Sequence, residues 1–319
     1  MSQSADASTA ARLYQILNDD IICIDAEYVE PGLACLYLLG SGGEYAVIET
    51  GTANSVPGVL RVLRERSVDP AAVRYVIPTH VHLDHAGGAG AMMALFENAE
   101  LLVHPRGARH MVDPERLVKA SMAVYGEALF RQLYGEITPV PASRVREMRD
   151  GEHVTLGQRR LLFRHTEGHA RHHFCVWDEQ SKGWFSGDMF GISYQWCRFD
   201  GGDFMLPSTS PTQFDPVAFE RSLALLAVTR PEWMYLTHYG AVAFSERKCD
   251  QLLVQVRQYV EVADRVPRER LQEELTQLTL EMLREYVPAE SVQECTAKIQ
   301  FDMQLNAQGV ADWLSRRDA

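Results

Sequence analysis

No run of apolar residues in the 319-residue sequence approaches the roughly 18 needed to cross a bilayer, so no membrane span is expected. The opening MSQSADASTAARLYQILNDD lacks the basic-then-apolar order of a secretory signal, and its small polar start reads as a flexible N-terminal segment over residues 1–20. The six cysteines (Cys23, Cys35, Cys175, Cys197, Cys249, Cys295) form no CxxC pair, which points to reduced thiols in a cytoplasmic protein. Positive charge is scarce. Lys and Arg total 31 against 43 Asp and Glu, leaving a net charge of −12 that argues against a nucleic-acid partner. Internal repeats and low-complexity tracts are missing as well.

What is present is an ordinary globular composition, 46% hydrophobic and 23% charged. The first half alternates β-like runs with turns and helices: CIDAEYVE, LACLYLLG and YAVIETG as a meander, SVPGVLRVLRERSV as a helix, and VRYVIPTH as a buried strand. GGAGAMMALFEN reads as a helix and ELLVH as the next strand, and residues 114–134 read as an amphipathic helical insertion, either lid or packing. HVTLGQRRLLFRHTEGH and HFCVWDEQSKGWFSGD read as hairpins. A long irregular segment from Met189 to Phe214 follows, then a helix (DPVAFERSLALLAV) and a short strand ending at His238. From about Ser245 only helical periodicity remains, punctuated by Pro267 and Pro288. Residues 246–319 therefore form an appendix of about three helices, which either caps the site or offers a homodimer face.

The chemistry is concentrated in Thr79-His80-Val81-His82-Leu83-Asp84-His85, at the end of a strand. Three imidazoles and a carboxylate within six residues have the donor types that zinc-like ions take, and the H-x-H-x-D-H spacing lets successive side chains face two different ions. Four ligands are too few for two ions that each keep an open position. Three more stand at later strand ends, each flanked by small residues: His169 in Thr166-Glu167-Gly168-His169, Asp188 in Ser186-Gly187-Asp188, and His238 in Thr237-His238-Tyr239-Gly240.

These four ordered motifs resemble the metallo-β-lactamase superfamily over roughly residues 20–245. The resemblance implies an α/β fold, an αββα sandwich spanning 21–245 with the C-terminal helical extension added. It also implies that His80, His82 and His169 hold one divalent ion, that Asp84, His85 and His238 hold a second, and that Asp188 bridges them. Zinc is the expected ion, with Mn2+ or Fe2+ as alternatives. Two such ions lower the pKa of a bound water toward about 7 and polarise a substrate oxygen, and Asp84 is expected to orient the hydroxide and pass on its proton. Isolated histidines are more often packing or surface residues, which is the reading given to His104, His110, His153 and His165. His173, at the spacing of a supporting histidine, and His172 stand between the two readings. Glu49, in Glu49-Thr50-Gly51, replaces the family's usual aspartate and is expected to support the site from behind.

Asp188, where many true β-lactamases have cysteine or serine, makes the chain similar to the glyoxalase II and lactonase branches. The segment after it lacks the G-C-G-R-like element of glyoxalase II and the persulfide dioxygenases. Tyr194, Trp196 and Phe204 in the long segment, with Tyr239, are the candidate substrate contacts; the alternative for the aromatic segment is that it covers the core. The expectation is a hydrolase of a small-molecule ester, thioester, lactone or amide. The rivals are a mononuclear iron oxygenase of the persulfide dioxygenase type and a metal-binding regulatory protein. Phosphodiesters are disfavoured because no Arg/Lys cluster lies near the motifs.

Overall fold

The computed structural model describes residues 13–18, 20–199 and 202–318. Most of the expected N-terminal segment, residues 1–12 and 19, lies outside them. Strands β1 (Tyr14–Ile16), β2 (Ile21–Asp25), β3 (Cys35–Ser41), β4 (Glu44–Ile48), β5 (Val73–Ile77), β6 (Glu100–Val103) and β7 (Val145–Glu147) form one sheet in that order. The pairs are antiparallel as far as β4 and parallel from β4 to β7. Strands β8 (His153–Leu156), β9 (Arg159–His165), β10 (Phe174–Asp178) and β11 (Gly183–Gly187) begin the second sheet. A ribbon of β12 (Arg198–Phe199) and β13 (Gly202–Asp203) stands outside it, and β14 (Trp233–Leu236) and β15 (Gly240–Ala243) complete the order β15-β14-β11-β10-β9-β8.

Side-chain alternation explains the layers. In β2, Ile21 and Cys23 face the other sheet while Ile22 and Ile24 face helices, and all four are buried. In β3, Tyr37 and Leu39 face inward and Leu36 and Leu38 outward. A strand covered on both faces reads as a continuous apolar run, as IICID and CLYLL do. Helices α1 (Val56–Glu65), α2 (Leu83–Ala86), α3 (Ala89–Leu95) and α4 (Pro105–Val112) follow in sequence on the first sheet's side, where Val59, Val62, Met92 and Met111 join its outer cluster. The expected insertion is two helices, α5 (Glu115–Tyr125) and α6 (Glu127–Tyr134), because Gly126 takes φ +76° between them. Phe130 and Tyr134 pack with Leu83, so this pair braces the metal motif's own leucine.

Helix α7 (Pro216–Ala227) covers the second sheet together with α8 (Glu246–Ala263), α9 (Arg268–Leu283), α10 (Val292–Lys298) and α11 (Gln300–Arg317). The appendix thus has four helices where periodicity suggested three, since α10 and α11 meet directly at Ile299 without a proline between them. Its Leu252, Leu271, Leu275, Met303 and Val310 share one cluster with Trp184, Met234 and Leu236 of the sheet, so it is a continuous part of the outer layer. The segment from Met189 to Phe214 is not irregular throughout: it contains the β12–β13 ribbon, and Ile192 pairs with Leu206 in both backbone directions. No helix among the described residues is long and apolar enough to cross a membrane.

Candidate metal centre

The seven predicted donors come from segments that follow strands of both sheets, Asp84 and His85 from the short helix α2 and the rest from loops. Pro78 follows β5, the chain bends at Thr79 and His80, and α2 starts at Leu83 with His82, itself extended at φ −63° and ψ 149°, as its N-cap residue. The entry into the helix at Leu83 separates His80 and His82, which face His169, from Asp84 and His85, which face His238. His169 stands between β9 and β10, Asp188 follows β11, and His238 lies between β14 and β15. Two glycines allow the close approach. A Cβ on Gly168 (φ +137°) would lie 2.4 Å from the Phe219 backbone, and one on Gly187 (φ +50°) would lie 2.4 Å from Thr79 Oγ1 and 2.6 Å from His173 Nε2.

In the first cluster, His80 Nε2 lies 2.9 Å from His82 Nδ1, and His169 Nε2 lies 3.2 and 3.1 Å from those two atoms. In the second, His238 Nε2 and His85 Nε2 lie 3.4 and 3.6 Å from Asp84 Oδ2. Asp188 faces both. Its Oδ1 is 3.2 Å from His85 Nε2 and 3.6 Å from His238 Nε2, while its Oδ2 is 3.5 Å from His169 Nε2.

Outer partners fix which ring nitrogen is bare. His169 Nδ1 donates to the Ser208 carbonyl at 3.0 Å and His238 Nδ1 to the Leu33 carbonyl at 2.7 Å. Thr79 Oγ1 donates to Glu49 Oε1 at 2.6 Å, so at 3.2 Å from His80 Nδ1 it is placed to accept. His85 Nδ1 donates to Glu49 Oε1 at 3.1 Å. In these four rings the proton is thus committed outward and Nε2 aims inward, the arrangement that prepares imidazole for a metal, whereas His82 turns its Nδ1 to the cluster.

Glu49 also accepts from Thr79 N at 3.0 Å and from Thr237 Oγ1 at 2.9 Å, tying β4, the His80 loop and the His238 turn together. It sits at φ +64°, a left-handed conformation costing a non-glycine residue about 1–2 kcal/mol, which four hydrogen bonds to its carboxylate offset.

The electrostatics separate the clusters. Burial, then the neighbouring imidazoles, push His80 and His82 well below the ordinary histidine range, and burial lowers His169 despite Asp188. Burial also opposes charge on His85 and His238, but there the carboxylates win. Asp188, Asp84 and Glu49 raise His85 well above its usual value, and Asp188 and Asp84 lift His238 to about 9. Asp84 and Asp188 are held well below the carboxylate range by the same rings, against burial.

The residues fit divalent ions. His80 Nε2, His82 Nδ1 and His169 Nε2 lie within 3.2 Å of one another in one cluster, and in the other the Asp84 and Asp188 carboxylates face His85 and His238, donor sets that suit divalent ions. Among the described residues, buried His85 Nε2 and Asp188 Oδ1 lie 3.2 Å apart yet make no aligned hydrogen bond, and an ion supplies what such atoms need.

His173 supports the centre: its Nδ1 pairs with Thr166 Oγ1 at 2.8 Å and its Nε2 accepts from Asp188 N at 3.3 Å. His172 Nδ1 accepts from Val81 N at 3.4 Å. His104 caps α4 by accepting from Arg106 N and stacks on His165, whose Nε2 donates to the Met148 carbonyl. The substrate-contact candidates divide: Tyr194 lies within electrostatic reach of Asp188 and Asp84, and Tyr239 directly follows the donor His238. Phe204 is buried in the core against Tyr286, because the Ile192–Leu206 pairing turns its stretch under the appendix. Tyr194 is buried, stacks on Trp196, and donates to Asp302 Oδ1 of α11 at 3.0 Å. Tyr239 donates to Asp25 Oδ2 at 3.3 Å, and with Trp196, Tyr14 and Arg61 it lines a groove of about 1100 Å³. Sequence reading missed Ser208, whose Oγ donates to Asp188 Oδ2 at 3.0 Å while its carbonyl holds His169; a serine in a loop carries no distinguishing signal.

A family model described as the metallo-beta-lactamase superfamily matches residues 31–238, a span that holds all seven donors. Acyl-coenzyme A thioesterase MBLAC2 of Bos taurus is 29% identical over 195 residues, 55% of this chain and 65% of that protein, so the chain spans less than two thirds of it. The Metallo-beta-lactamase fold-containing protein ST1585 of Sulfurisphaera tokodaii is 24% identical over 217 residues, 67% of this chain and 75% of that one. The crystal structure of ST1585 from Sulfolobus tokodaii aligns at TM-score 0.64 and 21% identity over 93% of this chain and 100% of that chain, a likeness of fold.

Proposed function

The chain belongs to the metallo-β-lactamase superfamily, and on that premise we propose that it is a metal-dependent hydrolase with a dinuclear site. The observation that carries the second metal is Asp188: its Oδ1 is turned to His85 and His238, and its Oδ2 to His169. His80, His82 and His169 would hold one ion and Asp84, His85 and His238 the other, with zinc favoured by the nitrogen-rich set. Bound there, divalent ions supply Lewis acidity and hydroxide at neutral pH.

The chain's own part is orientation and proton handling. Asp84 is the most exposed carboxylate of the centre, 23% against 6% for Asp188, so it faces the opening where substrate arrives. A carboxylate there takes a proton from the attacking water and returns it to the leaving group. His173 and Ser208 fix Asp188, and Glu49 fixes His85. Substrates are small molecules with an electrophilic carbonyl: ester, thioester, lactone or amide. Similarity to the bovine protein named an acyl-coenzyme A thioesterase supports testing thioesters first.

The test is metal content together with turnover on a panel of esters, lactones, amides and thioesters, the last with both neutral and polyanionic leaving groups. About two zinc ions per chain, with hydrolysis lost by orders of magnitude in Asp84→Ala, would support the proposal. About one iron per chain, with oxygen consumption and no hydrolysis, would replace it with an oxygenase.

A further inference from the structure

The appendix reaches the metal centre through amide side chains. Residues 205–209 form a strap that passes beside Asp188 and His169 with few backbone partners beyond the Ile192–Leu206 pairing. Three amides from the appendix supply the rest. Gln251 Oε1 of α8 accepts from Met205 N at 3.2 Å, and Gln255 Nε2 donates to the Met205 carbonyl at 2.6 Å. Asn306 of α11 brackets the other end. Its Oδ1 accepts from Thr209 N at 2.7 Å, its Nδ2 donates to the Pro207 carbonyl at 2.9 Å, and its backbone carbonyl accepts from Thr209 Oγ1 at 3.0 Å. Between those two anchored residues sits Ser208, whose carbonyl holds His169 and whose hydroxyl holds Asp188.

An asparagine buried in mid-helix is costly: it is a poor helix former, and its amide must find partners. One turn along, a Cβ on Gly309 would lie 1.5 Å from the Thr209 carbonyl oxygen, so glycine there lets α11 lie directly on the strap. Both departures from good helix sequence occur where the helix meets the strap.

We infer that Asn306 is a positioning residue for the metal centre, holding Ser208 so that His169 and the bridging Asp188 keep their geometry. The inference rests on the metal-centre reading above. The appendix then acts on a donor of the first cluster and on the bridge between clusters, while the second cluster's two histidines are held by Glu49 and by Leu33. Loosening the strap therefore acts first on the ion held by His80, His82 and His169.

The test is Co2+ titration of the full-length protein after metal removal, read by the cobalt absorption bands and by competition with a chromophoric chelator. Asn306→Ala is expected to weaken uptake about tenfold and to shift the bands of the ion at the first cluster. Leu271→Ala, which empties a buried position in α9, is expected to lower the thermal midpoint while leaving affinity and bands as in wild type. Thr209→Val, which removes one hydroxyl from the strap at nearly constant volume, is expected to show the Asn306→Ala change to a smaller degree and serves if the latter does not fold. Wild-type affinity and bands in whichever strap variant folds, or an equal loss in Leu271→Ala, would overturn the inference. Failure of the wild type to bind Co2+ would overturn the metal centre itself, and is distinguished because it appears before any substitution.

Discussion

The two donor clusters share a bridge and a wall, yet the chain builds them on opposite electrostatic plans. His80, His82 and His169 form a neutral nitrogen cage whose rings are stripped of protons by burial and by one another. Asp84, His85 and His238 sit with Asp188 and Glu49 around them, and the carboxylates force protons onto the rings. The first cluster is therefore ready to receive an ion, whereas the second must exchange protons for one. The supporting contacts divide likewise: the strap serves His169, and Glu49 serves His85. Asp188 belongs to both, so its loss should erase the difference.

Asp188→Ala is expected to produce the largest effect. Changing groups behind metal ligands costs about 10–100-fold in affinity, and a side chain facing both clusters should cost more than about a hundredfold at each, with hydrolysis abolished. Stepwise zinc titration with a competing chelator checks this. If one cluster kept wild-type affinity, Asp188 would not be the bridge. Glu49→Gln comes next and sharpens the comparison, because it removes the carboxylate behind His85 and leaves His169 and Ser208 untouched. A loss of about 10–100-fold is expected at the second cluster, with a smaller one at the first, which Glu49 reaches through Thr79 and His80. An equal loss at the first would mean that Glu49 holds the whole loop rather than one ring.

The unequal legibility of the molecule in its sequence has the same origin. The His80–His85 motif and the flanked His169, Asp188 and His238 were readable because metal binding demands rare residue types at short, fixed spacings. The meander and buried strands were readable as continuous apolar runs. The superfamily followed from these, but the branch did not, since substrate lies in parts without such constraints. Phe204 illustrates why: an aromatic in the segment after Asp188 has the same sequence whether it faces a substrate or Tyr286. Tyr194 was singled out for its position in the segment, from which its hydrogen bond to Asp302, 108 residues away, could not be read. Gln251, Gln255 and Asn306 did leave a trace, as polar residues inside the apolar stripes of α8 and α11, among Leu252, Val256, Met303 and Val310. Nothing local to those helices reveals that their partner is a strap at 205–209.

The smallest expected effect is on the metal-free protein's dependence on pH, and it tests the opposed electrostatics directly. His238 has a folded pKa of about 9 against 6.5 for the ordinary group, and His85 is shifted in the same direction. A raised histidine contributes stability that is fully present below the unfolded value and is lost as pH rises through the folded one, so the second cluster should weaken the metal-free fold between about pH 6.5 and about pH 9. His80, His82 and His169 are lowered, so the unfolded chain takes up their protons first and the first cluster weakens the fold as pH falls below about 6.5. The metal-free protein should therefore be most stable near neutrality, with the second cluster's histidines responsible for the alkaline limb and the first cluster's, joined at lower pH by Asp84 and Asp188, for the acidic one. Thermal melts of chelator-treated protein across this range, wild type against His238→Gln, separate them: the variant should lose part of the alkaline slope and keep the acidic one. An unchanged alkaline limb would mean that the carboxylates around His238 do not hold a proton there, and the contrast between the clusters would then rest on geometry alone.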